Sequence, residues 1–226
     1  MPIQQDSPLE QKRRIVVVED YPIIRDGLVQ LLSSAGEFEI LGAFGSAGEA
    51  RDGIIRLKPE AVLMDLMLGG NDGLPLISDL LSQIPDLKIL VFSMMNESVY
   101  AERVIRAGAS GYLMKTAKPT EILNAMRIVL SGNLYLSPQV TVTLVRGLIS
   151  RTGSSQLPGF AGLSDRELQV FQLIGTGLPN REIASQLGIS VKTVETFREK
   201  IKIKLGVRDS TALVAAAATF VASIIA

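Results

Sequence analysis

Over its first 130 or so residues the chain alternates short apolar runs with longer amphipathic stretches, and few folds can absorb that pattern. The runs are RIVVV, FEILGAF, AVLM, KILVF and GYLM, too short for stable helices and rich in Val, Ile, Leu and Phe. Near-continuous apolar character marks strands buried on both faces, as in a parallel sheet. Between and after the runs, residues 22–35, 47–57, 73–83, 98–107 and 119–131 read as helices. Strands alternating with helices predict a parallel sheet covered on both sides, a small doubly wound α/β domain. Ligands of such sheets bind beyond the carboxyl ends of the strands, where the strand order reverses.

The second half has no clear strands. RTGSSQLPGFAG, residues 151–162, has the composition of a linker, and SPQVTVTLVRGLIS before it reads as a connecting helix despite its β-branched residues. Four helices are then predicted. LSDRELQVFQLIGTG opens with Ser164 and Glu167 in capping-box spacing, NREIASQLG starts at an Asn180 cap and ends at Gly188, and SVKTVETFREKIKIKLG runs from a Ser190 cap to a Gly206 stop. The apolar tail from Ser210 is the fourth. The expected organisation is a disordered tail over 1–12, an α/β domain over 13–132, a linker over 133–162 and an all-α domain over 163–226.

Composition narrows the chemistry. With no cysteine, disulfides and thiolate zinc sites are excluded, and with no histidine any imidazole chemistry must come from another molecule. A net charge of zero hides an asymmetry: residues 1–150 carry 14 Lys and Arg against 17 Asp and Glu, residues 151–226 carry 9 against 6. An acidic half and a basic half imply different partners. The N-terminus lacks the apolar core of a signal peptide, and the uncharged Ser210–Ala226 stretch is short and alanine-rich, so a cytoplasmic protein without a membrane partner is expected.

The polar residues at the strand ends carry the main signal. Glu19 and Asp20 follow the first strand and Asp65 the third, while Ser93 closes the fourth and Lys115 follows the fifth. All five gather at one rim of the sheet. Three acids there repel one another unless a cation joins them, and an oxygen-only ligand set suits Mg²⁺. Lys115 and the Ser93 hydroxyl could then hold phosphoryl oxygens, with Asp65 as nucleophile. Singly, each has a plainer explanation: Asp20 as a cap for the helix that begins near Pro22, Asp65 as a turn residue. Together, at matching strand ends, they point to phosphoryl chemistry.

Residues 14–131 resemble a bacterial response-regulator receiver domain, whose hallmark acid pair, phospho-acceptor Asp, Ser/Thr and Lys match Glu19, Asp20, Asp65, Ser93 and Lys115. The resemblance implies a flavodoxin-like (βα)5 fold. It implies Mg²⁺ held by Asp20, Asp65 and the Met67 carbonyl, with Glu19 assisting through water. It also implies transfer to Asp65 from the phosphohistidine of a separate sensor histidine kinase, and a switch in which Tyr112 follows Ser93; the competing explanation makes Tyr112 a half-buried strand aromatic. The family usually has proline four residues after the acceptor, where this chain has Gly69, so a looser loop around Met67 is expected. Met67 and Met95, two residues after Asp65 and Ser93, are expected to shield the acyl phosphate from water.

In the basic half, NREIASQLGISVKTVETFREKIKIKLG has the spacing of a helix-turn-helix. On a helical wheel Val194, Ile201 and Leu205 share a buried stripe flanked by Phe197 and Arg198, while Lys192, Glu195, Thr196, Glu199 and Ile203 lie opposite. That outer face suits a DNA major groove, although a solvated amphipathic helix has the same pattern. Residues 163–220 resemble the LuxR-type helix-turn-helix through LSDRELQV, GLPNREIASQLGIS, VKTVETF and KLGVRD. By that resemblance Glu195, Thr196 and Glu199 face base edges, and Arg181, Lys192, Thr193 and Lys200 contact phosphates. The last helix then supplies a dimer contact through Ala215, Ala216 and Ala218, packing on its own domain being the competing use.

The whole chain thus resembles a NarL/FixJ-family response regulator. The expected function is transcription control through double-stranded DNA, as a homodimer on an inverted-repeat operator once Asp65 is phosphorylated, with RNA polymerase as a further partner. The protein is expected to be a regulator and not a classical enzyme, its chemistry confined to its own Asp65. The alternative is a phosphorylation-independent LuxR-type regulator whose receiver is a dimerisation scaffold. An aspartyl phosphatase is disfavoured by Met67, where a second acid would stand, and a dehydrogenase by the lack of a glycine fingerprint. A small-molecule sensor is disfavoured by 5% aromatic content.

Overall fold

The computed structural model describes residues 12–69, 71–142 and 162–225. They form two compact units whose main division falls between Ser137 and Pro138. In the first, β1 (Arg13–Val18), β2 (Phe38–Phe44), β3 (Ala61–Met64), β4 (Lys88–Ser93) and β5 (Gly111–Met114) alternate with α1 (Pro22–Ser34), α2 (Ala47–Leu57), α3 (Leu74–Gln83), α4 (Glu97–Arg106) and α5 (Pro119–Leu130). The sheet is parallel in the order β2-β1-β3-β4-β5. The chain winds outward from β1 in both directions, so the crevice opens at the carboxyl ends of β1 and β3. Both are sealed: Ile15 to Val18 and Ala61 to Met64 are at most 1% exposed.

Alternation along each strand divides the core into two layers. Ile15, Val17, Leu63, Leu90 and Phe92 pack with Leu28 and Leu32 of α1 and with Ile122, Met126 and Val129 of α5. The alternating Val16, Val18, Val62, Met64 and Val91 face the other way, where α2, α3 and α4 bury Ile54, Ile77, Leu80, Val99 and Val104. The expected (βα)5 order is thus observed.

The second unit contains α6 (Asp165–Gly175), α7 (Asn180–Leu187), α8 (Val191–Leu205) and α9 (Ser210–Ile225). The Ser164–Glu167 capping box and the Ser190 cap form as expected, and Gly188 and Gly206 end their helices in the left-handed conformation. The cap of α7 differs. Pro179 holds that position and Asn180 is the first helical residue, because the extended Pro179 already offers its carbonyl to the Glu182 and Ile183 amides. Phe171 of α6 meets Phe220 of α9 with ring centroids 5.5 Å apart, and Leu213 and Ala217 are fully buried on the same side of α9. Residues 138–142 are helical, where the connecting helix was expected. The rest of that helix, most of the linker and residues 1–11 lie outside the described residues. No single described helix is long and apolar enough to cross a membrane.

Candidate functional site

Strand register assembles the site. Val18 pairs with Met64, Met64 with Val91 and Ser93 with Met114. One residue beyond those pairs the chain leaves the sheet at Glu19, Asp65 and Lys115, which share one rim with the buried Ser93. Asp65 is anchored by its own amide, which donates to the Val18 carbonyl at 2.8 Å, and Lys115 by its amide to the Ser93 carbonyl at 2.8 Å.

The side chains converge. Lys115 Nζ lies 2.7 Å from Glu19 Oε2 and 2.9 Å from Asp65 Oδ2, and all three side chains are at most 6% exposed. Burial raises the pKa of Glu19, partly opposed by Lys115. Burial raises that of Asp65 as well, against the opposing pull of Lys115 and of the Met67 amide. Burial alone would lower Lys115, but Asp65 and Glu19 outweigh it and raise the ammonium above its ordinary value. One ammonium thus serves two buried acids, Glu19 and Asp65, for both of which burial disfavours the charged form.

Asp20 completes the crowd. One oxygen from each of Glu19, Asp20 and Asp65 lies within 4.8 Å of the others. Asp20 does not cap α1: Tyr21 holds the cap position without a side-chain bond, and Asp20 Oδ2 instead accepts the Gly69 amide at 2.9 Å. Its other oxygen, Oδ1, is buried without a hydrogen-bond partner. Three carboxylates against one ammonium leave an excess of two negative charges, and one of the carboxylate oxygens, Asp20 Oδ1, is buried without a hydrogen-bond partner. A hard divalent cation with oxygen ligands fits that donor set.

The loop after Asp65 is better tied than its glycines suggest. Met67–Leu68 pairs with Asn71–Asp72 in a short ribbon, and the Gly73 amide donates to the Leu66 carbonyl at 2.7 Å. Gly69 sits at φ +58°, closed to proline, and its free N–H is what reaches Asp20. Sequence reasoning missed this tie, and two others: Arg25 donates to the Glu19 carbonyl at 2.8 Å, and the Tyr21 ring lies 6.0 Å from Lys115 Nζ. The Gly69–Gly70 pair was the one available signal.

Ser93 and Tyr112 join through the loop after β4. Ser93 Oγ accepts the Met95 amide at 3.4 Å, and the Tyr112 hydroxyl donates to the Met95 carbonyl at 2.7 Å. Tyr112 is 1% exposed, fully inside and not half-buried. Met67 and Met95 are half-buried.

In the second unit, Val194 and Ile201 of α8 are buried, whereas Lys192, Glu195, Thr196, Glu199, Lys200 and Ile203 are exposed, as is Arg181 on α7. Thr193 is half-buried, and its hydroxyl lies 2.8 Å from that of the cap residue Ser190. Lys204 of α8 pairs with the buried Glu167 of α6 at 2.6 Å. On α9, Ala215 and Ala218 are exposed and Ala216 is half-buried, while Ala217 faces α6.

A parallel α/β domain with this acid–lysine rim, joined to a helix-turn-helix, defines a regulator with an input module and a nucleic-acid-reading module. Comparison with known proteins agrees. Residues 15–127 match the response regulator receiver domain, and residues 161–217 match the bacterial regulatory proteins of the luxR family. The oxygen regulatory protein NreC of Staphylococcus carnosus is 34% identical over 205 residues, covering 89% of this chain and 94% of that protein. Among solved structures, a LuxR-family two-component response regulator from Aurantimonas sp. aligns at TM-score 0.57 and 29% identity over 62% of this chain and 99% of its own. The RcsB response regulator of Salmonella typhimurium aligns at TM-score 0.60 and 24% identity over 95% and 98%, a likeness of fold. The chain belongs to the NarL/FixJ-type response regulators: it is a two-component response regulator with a LuxR-type domain, and it acts on DNA.

Proposed function

We propose that Asp65 is the phospho-acceptor and that a sensor histidine kinase supplies the phosphoryl group. An Asp65 oxygen attacks phosphorus of the kinase phosphohistidine. The P–O bond forms as the P–N bond breaks, and the electron pair leaves on the imidazole nitrogen, which takes up a proton. Lys115 passes from Asp65 Oδ2 to a phosphoryl oxygen, and Ser93 donates its hydroxyl to another. Asp20, Asp65 and the Met67 carbonyl would hold Mg²⁺, with Glu19 acting through water; when bound, it neutralises charge on the phosphoryl oxygens. The observation that carries this reading is the excess of negative charge where Glu19, Asp20 and Asp65 converge, together with the buried, unpartnered Oδ1 of Asp20.

The output follows the family. We read residues 13–132 as the receiver, 133–162 as the linker and 163–226 as the DNA-binding domain of a cytoplasmic protein. Phosphorylation favours a homodimer that meets an inverted-repeat operator with half-sites about one helical turn apart. On α8, Glu195, Thr196 and Glu199 read base edges, and Arg181, Lys192, Thr193 and Lys200 contact phosphates, with RNA polymerase as a further partner. The test compares the wild type with Asp65→Asn in Mg²⁺, with and without beryllofluoride, on an operator selected in vitro with the full chain. Tighter dimerisation and DNA binding with the mimic, in the wild type alone, supports the switch. Equal binding by both proteins regardless of the mimic would leave the receiver a scaffold.

A further inference from the structure

After α5 the chain does not leave the first unit at once. Tyr135 forms a parallel bridge with Gly111 at the edge of β5. The Tyr112 amide donates to the Tyr135 carbonyl at 2.9 Å, and the Tyr135 amide to the Ser110 carbonyl at 3.0 Å. Gly111 makes room for this approach, since a Cβ there would stand 2.6 Å from the Tyr135 carbonyl oxygen. Two residues on, the Ser137 amide donates to Glu97 Oε1 at 2.7 Å, and the unit ends. Glu97 is the first residue of α4.

The short segment 93–97 therefore touches three things. Ser93 Oγ takes the Met95 amide, the Met95 carbonyl takes the Tyr112 hydroxyl, and Glu97 holds the start of the chain that leads to the DNA-binding domain. Tyr112 is shared as well: its hydroxyl holds this loop while its amide holds Tyr135. The 3.4 Å Ser93 contact is the weakest of the set, so it is the one that yields first.

We propose that Glu97 and the Gly111 edge form a latch on residues 133–137, opened when Ser93 turns toward a phosphoryl group on Asp65. The Met95 amide loses its Ser93 contact, the first turn of α4 shifts, Glu97 parts from the Ser137 amide, and the Tyr135 bridge to the β5 edge opens. The inference rests on the phosphorylation reading above. Losing a hydrogen bond to a carboxylate speeds local opening by about tenfold or more.

Amide hydrogen exchange on the full-length protein, with Mg²⁺ and with or without beryllofluoride, tests it. In the wild type the mimic should slow exchange across 65–69 and speed it about tenfold at Tyr135 and Ser137. Glu97→Ala should give the fast exchange at Ser137 without the mimic, while Glu97→Gln, which keeps an acceptor oxygen, stays near the wild type. Gly111→Ala, which crowds Tyr135 without touching Glu97, should free the same amides. Protection at 65–69 with 133–137 unchanged overturns the latch alone, as does an unaltered Ser137 amide in Glu97→Ala. No response at 65–69 overturns the phosphorylation reading and the latch with it.

Discussion

Lys115 is the residue on which the first domain's rim depends. It touches two buried carboxylates, and removing it would leave both uncompensated. Lys115→Ala should lose about 3 kcal/mol of stability, the range for breaking a buried ion pair. Mg²⁺ should return part of that loss, because it neutralises the same carboxylates and binds only the folded state. Thermal unfolding with and without Mg²⁺ checks this: a loss that Mg²⁺ does not reduce would sink the metal reading of the acid cluster. Met67 and Met95 make a second case at this scale. Both are half-buried apolar neighbours of the site, and we expect Met95→Glu or Met67→Asn to shorten the lifetime of phosphorylated Asp65 severalfold. An unchanged dephosphorylation rate removes the shielding idea.

Among the elements, α6 organises the second domain. Its Glu167 serves twice, closing the capping box on the Ser164 amide at 2.7 Å and holding Lys204 of α8 at 2.6 Å. Arg166 donates to the Leu187 carbonyl at the end of α7 at 2.7 Å, so consecutive residues brace both helices of the reading motif. Burial would raise the Glu167 pKa, but Lys204 and the Ser164 amide outweigh it and hold the carboxyl below its ordinary value of 4.5. A depressed folded-state pKa adds stability above the unfolded value that is lost as pH falls through the folded one. Glu167→Gln should therefore cost about 1–2 kcal/mol near neutral pH, and the gap from the wild type should close as the pH drops below the ordinary glutamate range. Urea unfolding at several pH values measures it, and a gap independent of pH would refute the charge argument. On α8 the proposed contacts divide by type. Thr196→Ala or Glu199→Ala should alter sequence preference by about tenfold at a base position, whereas Lys192→Ala or Lys200→Ala should weaken binding to all sequences and lower the salt slope by about one.

At the scale of the molecule, α9 has two sides with separate duties. Leu213, Ala217 and Phe220 close the domain's own core, and Gly175 of α6 admits Ala217 at close range. Ala215, Ala218 and the 41%-exposed Val214 are left on the surface of the unit. Packing on its own domain and the proposed dimer contact therefore use different residues of one helix. Ala218→Glu should leave folding intact and weaken both dimerisation on DNA and operator affinity by about tenfold, since a charge in a close helix contact is left unpaired. Sedimentation with and without operator reads both; a dimer as stable as the wild type's would move the contact elsewhere.

Much of this was legible in the chain. Strands buried on both faces need unbroken runs of Val, Ile and Leu, so RIVVV and AVLM announced themselves; Ser164, Ser190, Gly188 and Gly206 marked helix ends by local chemistry. The acid–Ser–Lys rim followed because each residue sits at a strand end and parallel register aligns those ends. What needed the tertiary structure was each partner far along the chain. Asp20 reaches Gly69 instead of capping its own helix, Tyr112 hooks Met95, Lys204 turns to Glu167, and Tyr135 returns to the edge of β5. Local sterics and periodicity are written in neighbouring residues, whereas contacts across 17 to 49 positions, like these, exist only once packing has set which atoms meet.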